Sequence, residues 1–398
     1  MMPDNSNQPR EYDAVKGGQS QIPIGAAVLG GIAGVKQRFA SDSVEARIAA
    51  VKDAPKYGEA GLNLAVQGLL DSSEAVQRAA YSILRKKTEF SVRQALKEFV
   101  PYKLFECLRT VKVGSNAAIS PEGDRAASLH GQIIRICDLY TGELLFKLDK
   151  YPRAQESFAL GPDSEIFVRS RTAGKRSAIE IWESGELQHT LLGHEGEISA
   201  LAIGPDSQII ASGSTDTTIK IWNLGTGKLL CTFSSHLTWG AHKGVITSLA
   251  FSPIGQTLAS SSDDGTIKVW NLRSRACDRT IKGYACCLAF SPDAQTLAAG
   301  GWDRKIQLRQ LSNPEVSVTL EGHFNSINAI GFSPDGGTVA SASADGTIKF
   351  WNAASGENIH TLAGHQDCVT CLAFSSDGET LFSGSSDKTV KVWGVKGF

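Results

Sequence analysis

Two periods of apolar residues divide this chain. From residue 103 onward apolar and polar positions alternate in short runs, the period of two that predicts half-buried strands. Val245-Ile-Thr-Ser-Leu-Ala-Phe251, Thr257-Leu-Ala-Ser-Ser261 and Thr266-Ile-Lys-Val-Trp270 are three such runs, separated by Ser-Pro-x-Gly and Asp-Gly turns. Before residue 100 the period is helical. Val44, Ile48, Ala49 and Val51 fall on one helical face, as do Val76, Ala79, Ala80 and Ile83. Asp42-Ser-Val-Glu45 and Asp71-Ser-Ser-Glu74 read as capping boxes in which an acidic N-cap opens each helix. Tyr57 to Leu70 adds an amphipathic helix and Ser91 to Phe99 a shorter one.

Within the strand-rich part, four residues recur at constant spacing. His194, Ser212, Asp216 and Trp222 return as His242, Ser260, Asp264, Trp270, as His323, Ser341, Asp345, Trp351, and as His365, Ser383, Asp387, Trp393. Each time His and Asp are 22 positions apart, with Ser 4 before Asp and Trp 6 after it. A spacing kept through different intervening residues means one supersecondary unit copied along the chain. With the Trp position as a ruler, Cys137, Trp182, Trp222, Trp270, Arg309, Trp351 and Trp393 mark seven units, with steps of 45, 40, 48, 39, 42 and 42 residues.

On these residues the chain resembles WD-repeat (WD40) β-propellers, over residues 103–398. The fold class expected is mainly β: a seven-bladed propeller preceded by a small all-α domain. The repeats read Trp-Asn, Trp-Gly or Trp-Glu rather than Trp-Asp, and units 1, 2 and 5 lack the full quartet. The helical segment is similar to a HEAT-like hairpin array, and with Pro101-Tyr-Lys-Leu-Phe-Glu-Cys-Leu108 to multi-domain WD-repeat proteins of cyanobacteria. The expected domains are a flexible tail with an apolar Gly/Ala segment over 1–38, helices over 39–100, and the propeller from 103. The last unit stops at Val392-Trp393-Gly-Val-Lys-Gly-Phe398, and residues 103–113 are expected to supply its missing outer strand, leaving no unpaired edge.

Ser, His and Asp in one unit have the makings of a hydrolase triad, but four identical triads, each ending in a Trp, argue for architecture. The resemblance implies a structural hydrogen-bond network at these sixteen residues. It also implies partner contacts on one face, three and five positions after the His and one before the Asp, as at Ser199, Thr247, Asn328, Thr370 and Asp263. Unit 5 departs from the small residues usual there, with Tyr284, Cys286 and Trp302. Trp239, Tyr284, Trp302 and Arg304 therefore form a first candidate partner-binding patch, since aromatic and arginine anchors dominate interface energetics. The alternative is that Trp302 fills space left by the absent His and by Arg309 in place of Trp. Arg169, Arg171, Lys175 and Arg176 form a second candidate patch, a cationic turn that would attract a phosphate, an acidic partner or lipid headgroups; a solvated turn is the bland alternative.

Forty basic against 41 acidic residues exclude a whole-molecule field towards nucleic acid or anionic lipid. Eight cysteines without framework spacing read as free thiols in a reducing cytoplasm, and Cys368 and Cys371 point to opposite faces of a strand. Asp4, Glu11 and Asp13 break any signal-peptide pattern, and the apolar run Ile22 to Val35 is short for a membrane span. No metal, cofactor or phosphate-loop pattern is present. The expectation is a non-catalytic protein–protein scaffold of the cytoplasm. A peptide or modified-residue reader is the alternative, and a peripheral membrane-associated assembly factor a weaker one; no nucleic acid is expected.

Overall fold

The computed structural model describes residues 31–121, 123–130, 133–148, 157–162, 165–173, 176–235, 238, 240–313 and 315–396. Among these residues two compact units result, one ending at residue 106 and joined by 395 and 396, the other within residues 107–394.

The first unit holds helices α1 (Gly31–Phe39), α2 (Val44–Asp53), α3 (Gly58–Gly68), α4 (Glu74–Leu84) and α5 (Phe90–Glu98). Of the faces read from the periodicity, Val51 of α2 and Val76, Ala79 and Ala80 of α4 are fully buried, whereas Val44, Ile48, Ala49 and Ile83 are only partly so; Ala50 and Leu84, not read as part of either face, are fully buried beside them. Two details differ from expectation. Helix α1 occupies the end of the stretch assigned to a tail, and its Val35 is fully buried. The caps shift by one and two residues. Ser43 caps α2, its Oγ accepting from Ala46 N–H, and Ser73 holds the cap position of α4. Asp71 instead takes the Arg47 guanidinium at 2.9 Å and accepts from Ser73 N–H at 2.8 Å. A charge-assisted pair between two largely buried side chains outcompetes capping for this carboxylate.

The second unit is seven four-stranded antiparallel sheets, each a simple meander except the last. Innermost strands of successive blades pack side by side around the whole circuit, blade 7 (Val369–Phe374) against blade 1 (Ser115–Ile119) included. Blade 7 is completed by the strand Glu106–Lys112, hydrogen-bonded beside Thr389–Gly394. Its register matches that of ordinary blades. Lys220, Lys268 and Lys349 each donate to a threonine on the outer strand of their own blade, Thr232, Thr280 and Thr361, and Lys391 donates to Thr110, 281 residues away, at 3.0 Å.

The core lies between neighbouring sheets. Phe233 of blade 3 stacks on Trp270 of blade 4 at 4.6 Å, both sealed from solvent with Ile246, Leu249 and Leu258. Around the channel a second device joins the blades. In blades 3, 4 and 6 the innermost strand carries a bulge at Ser199, Thr247 and Asn328, so these residues leave the ladder. Each side chain donates instead to a carbonyl of the next blade, at Ile246, Ala285 and Val369; Ser157 donates likewise to Ser199. Three positions that the resemblance marked for partners are thus engaged in holding the ring.

Candidate functional site

Each full quartet is a continuous chain of hydrogen bonds. In blade 6, His323 Nδ1 lies 2.8 Å from Asp345 Oδ2 and His323 Nε2 lies 2.8 Å from Ser341 Oγ, which accepts from Trp351 Nε1–H at 2.8 Å. Blades 3, 4 and 7 repeat this arrangement, all within 2.7–2.9 Å. One protonation pattern satisfies every atom: a neutral imidazole donates from Nδ1 to the carboxylate and accepts the Ser hydroxyl proton at Nε2. Burial agrees, lowering the pKa of His242, His323 and His365 despite the facing carboxylates, which raise it. Burial raises the Asp345 carboxyl, but hydrogen bonds from Thr347, Phe324 N–H and His323 outweigh it and bring it to about 2. Asp264 and Asp387 sit at about 2 for the same reasons. All four Ser side chains are fully buried, so no substrate reaches the hydroxyl that a hydrolase would use.

Blade 5 keeps only one member. Asp303 stands six before Arg309, in the place of the quartet aspartates, while Ala299 pairs with Gln307 where other blades pair Ser with Lys. The His-bearing turn is deleted: Ile281 to Leu288 is 7 positions where the equivalent Leu362 to Leu372 is 10. Arg309 turns onto Gln307, its Nε donating to Oε1 at 3.1 Å. Trp302 and Tyr284 are 76% and 68% exposed. Trp302 therefore belongs to the surface and does not fill the space of the missing His. With Thr247, Asp263, Cys286 and Asp303 they border a groove of about 420 Å³ between blades 4 and 5.

A ring of seven four-stranded blades, four of them carrying this network, finds its counterpart among known proteins. A family described as the IFT122 first beta-propeller matches residues 157–351, and the WD domain, G-beta repeat matches residues 356–394. The chain belongs to the WD-repeat β-propeller family. It is 31% identical over 102 residues to human WD repeat and SOCS box-containing protein 1, covering 25% of this chain and 24% of that one. It is 32% identical over 104 residues to the Arabidopsis thaliana transcriptional corepressor LEUNIG_HOMOLOG, covering 26% and 13%. With eukaryotic translation initiation factor 3 subunit I of Pyricularia oryzae it shares 35% over 88 residues, 22% and 25% of the two chains. The chain thus spans about a quarter or less of the length of these curated relatives.

The departures from the WD dipeptide have a physical basis. Asn223, Asn271 and Asn352 follow the Trp and accept backbone N–H groups of the next turn through Oδ1, as Asp138 does in blade 1. Asn supplies the same turn-closing acceptor as Asp. Blade 2 substitutes a different network. Arg169 pairs with Glu180 across the strands as Ser212 pairs with Lys220, so Arg169 stands in the Ser position of this WD blade. It is fully buried, its Nε donating to Glu180 Oε2 at 2.9 Å, and Trp182 Nε1–H donates to the same oxygen at 3.3 Å.

Arg169 is accordingly withdrawn from the cationic patch: a guanidinium paired inside the sheet offers nothing to a partner. Arg171 is half-exposed and also pairs with Glu180, at 3.1 Å. Lys175 lies outside the described residues, as does the Arg176 side chain and as does Trp239. Arg304 is exposed on the turn after Asp303 and does not line the groove. The eight cysteines are free, and burial pushes the Cys371 thiol up to about 12. Among the described residues no cluster of three metal-ligating side chains occurs, and no helix is long and apolar enough to cross a membrane.

Proposed function

We propose that this WD-repeat protein is a non-catalytic scaffold that docks a protein partner on the propeller face at blades 4 and 5. The observation that carries the reading is the exposure of Trp302 and Tyr284 on one groove. Large aromatics that stay in water on a rigid sheet gain most of their burial on association, and such residues dominate interface energies. Two of the relatives, a subunit of a translation initiation factor and a transcriptional corepressor, agree with work inside assemblies. The hydroxyls of the quartets are inaccessible and perform no chemistry. The membrane-associated reading loses support with Arg169 buried.

Quantitative pull-down with the full chain and with Trp302→Ala tests this. Capture of a reproducible partner should fall at least tenfold in the variant, while Ser386→Ala, at the equivalent position before Asp387 in blade 7, captures as the wild type does. Equal capture by Trp302→Ala and wild type would overturn the docking site.

A further inference from the structure

The chemistry of the groove goes beyond apolar docking. Asp263 and Trp302 occupy the same position in adjacent blades, one before the quartet aspartate or its counterpart, so a carboxylate and an indole face the groove from neighbouring turns. Asp303 adds a second carboxylate. In the full quartets this residue is consumed by a histidine, a threonine hydroxyl and two backbone N–H groups; in blade 5 the histidine is gone and Lys305 N–H donates at 3.2 Å. Among the described residues neither Asp263 nor Asp303 forms an ion pair. The adjacent Lys305 is held by Glu321 at 2.6 Å. Burial raises the Cys286 thiol, a hydrogen bond from Trp302 N–H lowers it, and Asp263 and Asp303 raise it further, so both carboxylates act on the floor of the groove.

Tyr284 packs on the blade 4 turn. Gly265 adopts φ +78°, and a Cβ there would meet the Tyr284 ring at 3.4 Å. The ring thus lies over the blade 4 turn beside Asp263. Two exposed aromatic faces and two carboxylates that form no ion pair among the described residues make a site for a cation: π faces attract it and the carboxylates neutralise it. A guanidinium suits this set better than an ammonium, being flat enough to lie on an indole while its five donors reach separate carboxylates.

We propose that the groove between blades 4 and 5 receives an arginine side chain of a partner protein, stacked on Trp302 and Tyr284 and hydrogen-bonded to Asp263 and Asp303. This deepens the docking role proposed above and rests on it. The test uses the full chain with acetyl-Gly-Arg-Gly-amide and its citrulline, lysine and trimethyllysine counterparts, followed by ligand-observed NMR at millimolar concentrations.

The arginine probe should bind at least tenfold more tightly than citrulline, which keeps the shape and loses the charge. Trp302→Ala and Asp303→Asn should each weaken it at least fivefold with unchanged melting temperature, and added salt should weaken it further. Equal binding of citrulline and arginine would overturn the inference. So would trimethyllysine binding more tightly than arginine, which would mean an aromatic cage without hydrogen bonding, or no arginine binding at all. If the arginine probe fails while Trp302→Ala still abolishes partner capture, the arginine inference alone falls and the docking face stands.

Discussion

Blades 5 and 6 are neighbours with the same strand order, yet they spend the same aspartate differently. In blade 6 Asp345 closes a buried chain through His323 and Ser341 to Trp351, and the loop is tied to the sheet. In blade 5 the turn carrying the His is three residues shorter, Arg309 has replaced the Trp, and Asp303 faces solvent beside an exposed indole. The contrast teaches that stability and recognition draw on the same turn. A blade that gives up its quartet frees a carboxylate and an aromatic for a partner, and its neighbours, which keep theirs, hold the ring.

The sharpest way to break this contrast is through the two tryptophans. Trp351→Ala should cost about 3–5 kcal/mol, the range for deleting a buried aromatic, because the side chain is 1% exposed. Trp302→Ala should stay within about 0.5 kcal/mol, as surface substitutions do. Chemical denaturation of both variants reads this directly; a loss of several kcal/mol for Trp302 would return it to the core.

Acid titration probes the quartets as a group. Asp345, Asp264 and Asp387 are held at about 2, so their contribution is full above the ordinary carboxylate value near 4 and is lost as pH falls towards 2. His242, His323 and His365 are buried neutral with lowered pKa, so their contribution is full above the ordinary value near 6.5 and declines as pH falls below it. Both act in one direction. The melting temperature should fall progressively below about pH 6.5, and should fall less steeply in a His323→Gln variant. A melting temperature that is flat from pH 7 to 4 would contradict the neutral, buried assignment.

The smallest effect concerns the residue after each quartet aspartate, which adopts the left-handed conformation. Gly265 and Gly346 do so at no steric cost, whereas Thr217 stands there at φ +69°. A β-branched side chain is strained in that region, so Thr217→Gly should stabilise by up to about 1 kcal/mol. Asn223→Gly, which removes the acceptor that closes its turn, should instead destabilise. Thermal melting of the two variants separates the outcomes.

Much of this architecture was legible before the structure. The constant His-to-Asp spacing marks the blades, and the match between residues 103–110 and other outer strands anticipates how the ring closes, because identical register constraints leave identical spacing. The misread features lack such a ruler. Arg169 falls in a hairpin of different length, so its place opposite Glu180 emerges only from strand pairing. The bulges that aim Ser199, Thr247 and Asn328 at the next blade leave no compositional trace. Asp71 looked like a cap because its alternative partner, Arg47, lies 24 residues away. Trp302 was open in the sequence because a missing His implies either a void or a shorter turn, and only a comparison of loop lengths decides which.

The most direct test of the account is a matched pair of aspartate substitutions at equivalent positions, Asp345→Ala and Asp303→Ala, compared by equilibrium denaturation at pH 7. Asp345→Ala leaves the buried His323 and its backbone donors unsatisfied and should cost about 1–3 kcal/mol, whereas Asp303→Ala, with no quartet to lose, should change stability by no more than about 0.5 kcal/mol. Equal losses at the two positions would contradict the division of labour between blades 5 and 6.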